Sequence, residues 1–358
     1  MTKLITHSGR FHTDEVFGTA LLLQIYNIPE IIRTRDEKIL KEGKKNINSI
    51  VIDVGRDYNP EMNNYDHHQE SFNDSFSDEY VIPLSSCGLV WKHFGKEIIR
   101  TVVKEKLTDV LVEKIYQSMY EKVFLSIDGN DNGIKSIMNT DDVKYNYFYN
   151  VTLDEIIGSF NLPDLKNDIE QDYQFNQAVT VCVQYFRNKI RQVSSNIISY
   201  EKNLPYFSSV FERDHQKRYL YLDNDSVYYG IYIGDFDREK NVLFFITKKN
   251  DHEFKIHTRR VRGGSFEIVA PIISQDDARE LVGSDLIFVH KSKFTGACKT
   301  LGSAVEVVEE SIRRHSDTPF RVELGAALEL REPPSLMEIV IFITIVGGLM
   351  AWILSGHA

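Results

Sequence analysis

The sequence predicts an α/β protein: a doubly wound, mostly parallel sheet domain, then a smaller α+β domain, then an apolar helix at the C-terminal end. Three observations carry that expectation. From residue 1 to roughly residue 135, short apolar runs alternate with stretches whose apolar positions recur at helical spacing. From Phe207 to Arg262 the apolar period changes to two, with Asp, Asn and Gly at the breaks. Ile339 to Leu354 then carries no charged residue at all.

Taken in order, Leu4-Ile5-Thr6 reads as a short buried strand that empties into His7-Ser8-Gly9-Arg10-Phe11-His12-Thr13-Asp14-Glu15. A helix is expected from Glu15 to Tyr26, stopped before Pro29. Glu30 to Thr34 is the next strand and Asp36 to Glu42 the next helix, after which Ser49-Ile50-Val51-Ile52 ends directly on Asp53. A loop through Tyr58-Asn59-Pro60 leads to Asp66-His67-His68. Ser85 and Ser86 offer capping hydroxyls to a helix reaching Gly95, and such a helix start could equally hold an anion. Leu111, Ile115, Met119, Val123 and Ile127 share one helical face that ends in Asp128-Gly129-Asn130-Asp131-Asn132-Gly133. The aromatic run Lys144 to Tyr149 reads more readily as a packed loop than as a base-stacking platform.

Asp168 to Asn203 is expected to form one long or broken helix leading into the second domain. There, Tyr219 to Leu222, Val227 to Ile233, Val242 to Thr247 and Phe254 to Thr258 read as strands of an antiparallel sheet. Helices at Asp276 to Val282 and Thr300 to Arg314 flank a strand at Leu286 to Val289. The expected divisions are therefore 1–200 for the catalytic domain, 205–316 for a substrate-binding domain, 317–335 for a linker with Pro333-Pro334, and 336–358 for a membrane anchor. The uncharged stretch is at the short limit of the roughly 17 to 25 residues that cross a bilayer.

A chain of 358 residues with 42% apolar and 26% charged residues has the composition of an ordinary globular protein of two modest domains. Its three cysteines, Cys87, Cys182 and Cys298, form no CxxC pair, which points to a reducing compartment and away from structural zinc. A formal net charge of -10 argues against a broad basic surface for nucleic acid, though not against a local groove. With Leu4-Ile5 entering a strand almost at once, no signal or transit peptide is expected. The protein is thus expected inside the cell, facing the cytosol and held at a membrane by its last segment; a soluble cytoplasmic, nuclear or mitochondrial protein is the alternative.

Imidazoles and carboxylates just past the ends of apolar strands occupy the place where open parallel sheets put their ligand crevices. His7, His12, Asp14, Asp53, His67 and Asp128 are more ligands than one tetrahedral ion needs, and they contain no thiolate. Two hard or borderline divalent ions sharing a bridging acid fit better, with manganese first and magnesium or cobalt as alternatives. A pair of such ions suits phosphoester hydrolysis. The bland alternative is a set of solvated loop residues that happen to lie near strand ends.

Asp66-His67-His68, with the upstream His and Asp motifs, resembles the DHH phosphoesterase superfamily. More closely, Thr6 to Glu15, Asp53-Val54-Gly55, Tyr65 to Gln69, Ser86 to Trp91, Ile127 to Gly133 and Phe288 to Lys291 resemble the MYG1 family over about residues 1 to 315. The resemblance implies a metal-dependent RNA exonuclease working 3′ to 5′. It implies the same six ligands, His7, His12, Asp14, Asp53, His67 and Asp128, with Asp66 orienting a histidine and His68 facing the substrate phosphate. Many relatives have two aspartates in the first motif, where this chain has His12 and Asp14. In the smaller domain, Arg259 to Ser265 and His290 to Gly296 combine cations with glycines, so Arg259, Arg262, His290 and Lys291, with Lys299 just beyond, are expected to grip an RNA or oligonucleotide backbone. Hydrolysis of a small phosphorylated metabolite, or a catalytically silent membrane-attached scaffold, are the competing readings.

Overall fold

The computed structural model describes residues 2–136, 151–163, 167–223, 229–261 and 267–316. The chain forms two units, Met1–Ile198 and Ser199–Ala358.

In the first unit, strands β1 (Lys3–Thr6), β2 (Glu30–Arg33), β3 (Ser49–Ile52), β4 (Tyr58–Asn59) and β5 (Asn64–Tyr65) make one sheet in the order β2-β1-β3-β5-β4. All pairings are parallel except that of β4 with β5 at the edge. Alternation of side chains between two buried faces explains why Leu4-Ile5 of β1 and Ile50 to Ile52 of β3 are apolar at consecutive positions. Leu4, Ile50 and Ile52 face a large core built by the helices, whereas Ile5 and Val51 face α2 (Glu37–Gly43) through Leu40 on the other side. The expected doubly wound, mostly parallel sheet is therefore present.

Helix α1 (Thr13–Leu22) is buried along its whole length, which accounts for its lack of a polar face. Gly18 makes this possible, since a Cβ there would already sit 3.4 Å from Ile52 and 3.8 Å from the Cys87 backbone of α3 (Ser86–Val102). The single helical run expected over Leu111 to Ile127 is divided. It comprises α4 (Asp109–Met119), a π-helical turn at Tyr120–Phe124 and α5 (Leu125–Asp131). The wider turn lets the Tyr120 ring stack on Phe76 at 3.7 Å while its hydroxyl reaches Asp128. α6 (Leu153–Gly158) and the first part of α7 (Asp168–Asp214) complete this unit's core, the latter with Phe175, Val179, Cys182, Phe186, Ile190 and Val193.

In the second unit, β6 (Tyr219–Leu222), β7 (Phe244–Asn250), β8 (Glu253–Thr258), β9 (Leu286–Val289) and β10 (Thr295–Cys298) form a sheet in the order β6-β7-β8-β10-β9. It is antiparallel apart from the parallel β6–β7 pair. One face, with Phe244, Ile246, Phe254 and Ile256, packs under α9 (Gln275–Val282) and α10 (Leu301–Ser316). The other, with Leu220, Leu222 and Phe245, meets Tyr200, Phe207 and Val210 of α7. The strand expected over Val227 to Ile233 is not there: Tyr229–Ile231 is a 3-10 turn leading into α8 (Ile233–Phe236). Tyr232 is instead stacked on both Tyr200 and Phe207 at 4.7 Å, so its apolar neighbourhood serves an aromatic stack rather than a ladder. β10 has no sequence signal because Thr-Gly-Ala-Cys lacks alternation. Gly296 is needed there, since a Cβ would lie 3.0 Å from the Phe288 carbonyl oxygen.

The aromatic run Lys144 to Tyr149, Arg262, the linker and the apolar stretch Ile339 to Leu354 lie outside the described residues. Among the described residues no helix is long and apolar enough to cross a membrane. The expected C-terminal apolar helix and its membrane attachment thus gain no support.

Burial between the sheet and Tyr229 pushes the His257 pKa down to about 4, and Lys255 pushes in the same direction. A folded-state value below that of the unfolded chain means stability that is complete above pH 6.5 and is lost as pH falls toward 4. We expect the second unit to lose on the order of 1 to 2 kcal/mol between pH 7 and pH 4.5, and His257→Gln to remove that loss. Urea unfolding at the two pH values checks this; an unchanged pH slope in the variant would refute it.

Candidate metal centre

Two parallel neighbours, β1 and β3, end side by side and deliver His7 and Asp53 at the carboxyl edge of the sheet, while β5 delivers Asp66-His67-His68 beside them. The N-terminus of α1 adds Asp14 and Glu15, whose carboxylates lie where the helix leaves its N–H groups free. Asp53 has φ 55°, a left-handed conformation that Asp tolerates better than most residues and that turns its side chain inward.

The side chains then interlock. His7 Nε2 lies 2.8 Å from Glu15 Oε1 and 3.3 Å from Asp53 Oδ2. His67 Nε2 lies 3.1 Å from Asp131 Oδ2 and 3.5 Å from Asp53 Oδ1, without hydrogen-bond geometry to either. The Ser86 hydroxyl donates to Asp53 Oδ1 at 3.2 Å, and His68 Nδ1 lies 3.5 Å from the same oxygen. Asp14 is 1% exposed, and neither of its carboxylate oxygens has a hydrogen-bond partner.

Charge follows from this packing. Burial alone would lower the pKa of His7 and of His67, yet the neighbouring carboxylates outweigh it and raise each to about 10. Burial works against ionised Asp53 as well, but the close His67 and His7 imidazoles hold its carboxyl below the usual range. Asp14 goes the other way, pushed well up by burial and then by Asp53, Asp131 and Glu15. A buried carboxylate whose oxygens are unsatisfied costs free energy unless a proton or a cation meets them. The donor set therefore fits divalent metal ions, and its imidazoles and carboxylates suit manganese or magnesium rather than a structural zinc site.

Overlapping groups of ligand atoms, each within 4.8 Å of one another, comprise His7-His12-Glu15, Asp14-Glu15-Asp53, Asp14-His67-Asp131 and Asp53-His67-His68. Five of the six expected ligands are thus brought together: His7, His12, Asp14, Asp53 and His67. Asp128 is not. It is fully buried, with Oδ1 accepting from the Ser85 N–H at 2.9 Å and the Ser85 hydroxyl at 2.7 Å, and Oδ2 from the Tyr120 hydroxyl at 3.0 Å. Gly88 makes room for it, since a Cβ would lie 2.3 Å from Asp128 Oδ1. Asp131, one helical turn on, faces His67 instead. Glu15 and Asp131 belong to these groups and were not among the expected ligands. Spacing along α5 is the signal, since residues three apart share a face and either acid could have been chosen.

His68 is half exposed, and its Nδ1 lies 2.7 Å from Asp66 Oδ1. Asp66 also accepts from its backbone N–H at 3.2 Å and from that of Arg56 at 2.6 Å. The Asp66 carboxylate thus holds the His68 ring through Nδ1. That hydrogen bond raises the His68 pKa against its partial burial.

The residues expected to grip a substrate in the second unit fare differently. Arg259 is 5% exposed; its Nη1 donates to Asp237 Oδ2 at 2.6 Å and its Nη2 to the Asp237 carbonyl. The sequence placed this cation at the surface because nothing local marks its acid partner, which is twenty-two residues upstream. His290, Lys291 and Lys299 are exposed, the first two at the β9–β10 turn, where the Lys293 N–H closes on the His290 carbonyl at 2.7 Å.

Residues 3–312 match the family described as MYG1_exonuc, uncharacterised protein family UPF0160. The chain belongs to the MYG1 family. A MYG1 protein of Schizosaccharomyces pombe is 27% identical over 329 residues, covering 87% of this chain and 98% of that one. The mouse protein named MYG1 exonuclease is 40% identical over 139 residues, 37% of this chain and 35% of that one. Among solved structures, the pGpG-specific phosphodiesterase PggH of Vibrio is 14% identical with a TM-score of 0.26, covering 89% of this chain and 99% of that one. RecJ of Thermus thermophilus with Mn2+ is 10% identical with a TM-score of 0.25, covering 88% and 52%.

In this MYG1 chain, Asp131→Asn is expected to weaken Mn2+ binding by about 10- to 100-fold. Asp128→Asn should keep the metal stoichiometry and lose only stability, because its hydrogen bonds stay inside the fold. Calorimetric titration of both variants separates them, and the reverse pattern would restore Asp128 as the ligand.

Proposed function

We propose that the chain is a metal-dependent phosphodiesterase that shortens RNA or short oligonucleotides from the 3′ end at this site, using two divalent ions. The observation that carries the reading is Asp14, a buried carboxylate with both oxygens unpartnered among Asp53, Asp131, Glu15 and His67. Asp53 belongs to ligand groups on both sides and is the acid placed to be shared. His7 and His12 would complete one ion's set, and Asp14, His67 and Asp131 the other's. Bound there, the ions would supply Lewis acidity toward a phosphoryl group and acidify water.

The protein's own groups do the remaining work. Asp66 holds the His68 ring with Nδ1 engaged, so Nε2 is left to meet a phosphate oxygen or to protonate the leaving oxygen. A cavity of about 210 Å³ beside the ligands is lined by His12, Thr13, Asp14, Ile127, Asn130, Asp131 and Asp154. It is smaller than the roughly 300 Å³ at which drug-sized pockets begin, which suits one sugar or base at a chain end. In the second unit, His290, Lys291, Lys299 and Arg262 stay as proposed backbone contacts. The name of the mouse relative, MYG1 exonuclease, supports the exonuclease reading.

A second reading, hydrolysis of a small phosphorylated metabolite, is favoured by the net charge of -10 and by Arg259 being spent inside the fold. Purified full-length chain with Mn2+, offered 5′-labelled RNA, single-stranded DNA, a dinucleotide and pyrophosphate side by side, tests both. A ladder of shortened 5′-labelled RNA is expected. Turnover of pyrophosphate alone favours the second reading, and no turnover of any substrate refutes phosphoester hydrolysis.

A further inference from the structure

Five backbone groups of the loop from His7 to His12 are held by side chains from outside it. Arg35 Nε donates to the Ser8 carbonyl at 3.1 Å, and Arg33 Nη2 donates to the Gly9 carbonyl at 2.6 Å. Asn161 accepts from the Phe11 N–H at 3.0 Å and donates to the Phe11 carbonyl at 2.8 Å. The Glu15 carboxylate accepts from the His12 N–H at 2.9 Å. Gly9 sits at φ 92°, so the loop has a hinge that needs such holding if His7 and His12 are to converge.

Arg33 is the costly member of this set. The parallel register puts it beside Thr6, the residue before His7. Its side chain is 1% exposed, its guanidinium lies 5.3 Å from the Phe11 ring centroid and 4.6 Å from that of Phe175, and its Nη1 bonds Asp172 of α7 at 3.0 Å. Nε is buried with no hydrogen-bond partner. A buried cation with an unmet donor stabilises a fold less than an apolar side chain of similar size would. What an apolar side chain could not do is tie the Gly9 carbonyl to α7 with a planar, two-ended donor.

We propose that Arg33 is a positioning residue of the metal centre: by fixing Gly9 against Asp172, Phe11 and Phe175, it holds His7 and His12 on the same ion. This rests on the reading of those histidines as ligands. Arg33 touches neither ion nor substrate, and its effect falls on one ion rather than both, because Asp14, His67 and Asp131 hang from α1, β5 and α5.

Titration of the full-length chain with Mn2+, followed by calorimetry and electron paramagnetic resonance, tests it in Arg33→Lys and Asp172→Asn. Lysine keeps the charge and stem but cannot bond Asp172 and the Gly9 carbonyl together. Wild type is expected to bind two ions with an exchange-coupled spectrum. Arg33→Lys should weaken one ion by about 10- to 100-fold, giving the spectrum of isolated ions at metal levels that couple the wild type, with the other affinity unchanged. Equal weakening of both ions with a lower Tm would make Arg33 merely structural, and two unchanged affinities would overturn the proposal outright. If Arg33→Lys does not fold, Asp172→Asn decides, since Asp172 is 45% exposed and its loss leaves the core intact. A one-sided loss of affinity is then expected, and none refutes the clamp. A wild type that couples two Mn2+ yet cleaves no phosphodiester would refute the proposed activity and leave the clamp standing. One that binds a single ion would remove both the ligand reading and the clamp.

Discussion

Asp14→Asn is expected to abolish metal-dependent hydrolysis and, at the same time, to raise the Tm of the metal-free protein. The two effects share one cause. Asp14 is buried with both oxygens unpartnered, next to Asp53, Asp131 and Glu15, so its ionised form is opposed by burial and then by like charge. Its folded-state pKa stands above that of the unfolded chain. The fold therefore has its full stability from this group only at low pH and loses it as pH rises through the folded value. An amide removes that cost, and a gain of about 1 to 3 kcal/mol in chelator is the expected size. Hydrolysis should fall by roughly three orders of magnitude, because several kcal/mol of charge stabilisation depends on the ion that Asp14 helps hold. Thermal unfolding in chelator and in excess Mn2+ reads both sides. Wild type should gain stability on metal addition by mass action, while the variant should gain far less. A variant that responds to Mn2+ as wild type does, and keeps its activity, would show that Asp14 is not a ligand.

Arg259→Ala is expected to cost the second unit about 3 kcal/mol without raising KM on any oligonucleotide. Arg259 and Asp237 are a buried pair at 2.6 Å, with side chains 6% and 4% exposed. Removing one partner strands the other, typically at 3 to 5 kcal/mol. The lower end applies because Asp237 keeps the N–H groups of Val242 at 2.7 Å and Asn241 at 3.1 Å. Burial lowers the Arg259 pKa, opposed by Asp237, and the guanidinium stays charged throughout the working range. Urea unfolding combined with KM measured on RNA separates the roles. A raised KM with unchanged stability would return Arg259 to the substrate surface; a double Arg259→Met, Asp237→Leu variant should instead recover much of the lost stability.

The sequence by itself determined the layered sheet of the first unit and where its histidines and carboxylates gather. Both follow from local physics. Strands buried on both faces are apolar at consecutive positions, as Leu4-Ile5 and Ile50 to Ile52 are. Titratable residues that follow such strands directly can only stand at the sheet's carboxyl edge, which is how His7 and Asp53 became visible without coordinates, while His67 stood out through the Asp66-His67-His68 triplet. His12 and Asp14 were visible for the same reason, at the start of the helix that follows β1. The change of apolar period likewise announced the second sheet.

Tertiary structure alone decided which of two similar groups does which task. Asp128 and Asp131 differ only by a helical turn. The π-helical turn and the Ser85 and Tyr120 hydroxyls bury one acid as a structural acceptor and turn the other toward His67. Arg259 looked like a surface cation until Asp237 folded back onto it, and Arg33 looked like the end of a strand until Phe11, Phe175 and Asp172 closed around it. In each case the deciding partner is remote in sequence or set by a helical irregularity. Composition and periodicity report burial along one element, whereas the role of a charged group depends on which partner the other elements bring within about 3 Å of it.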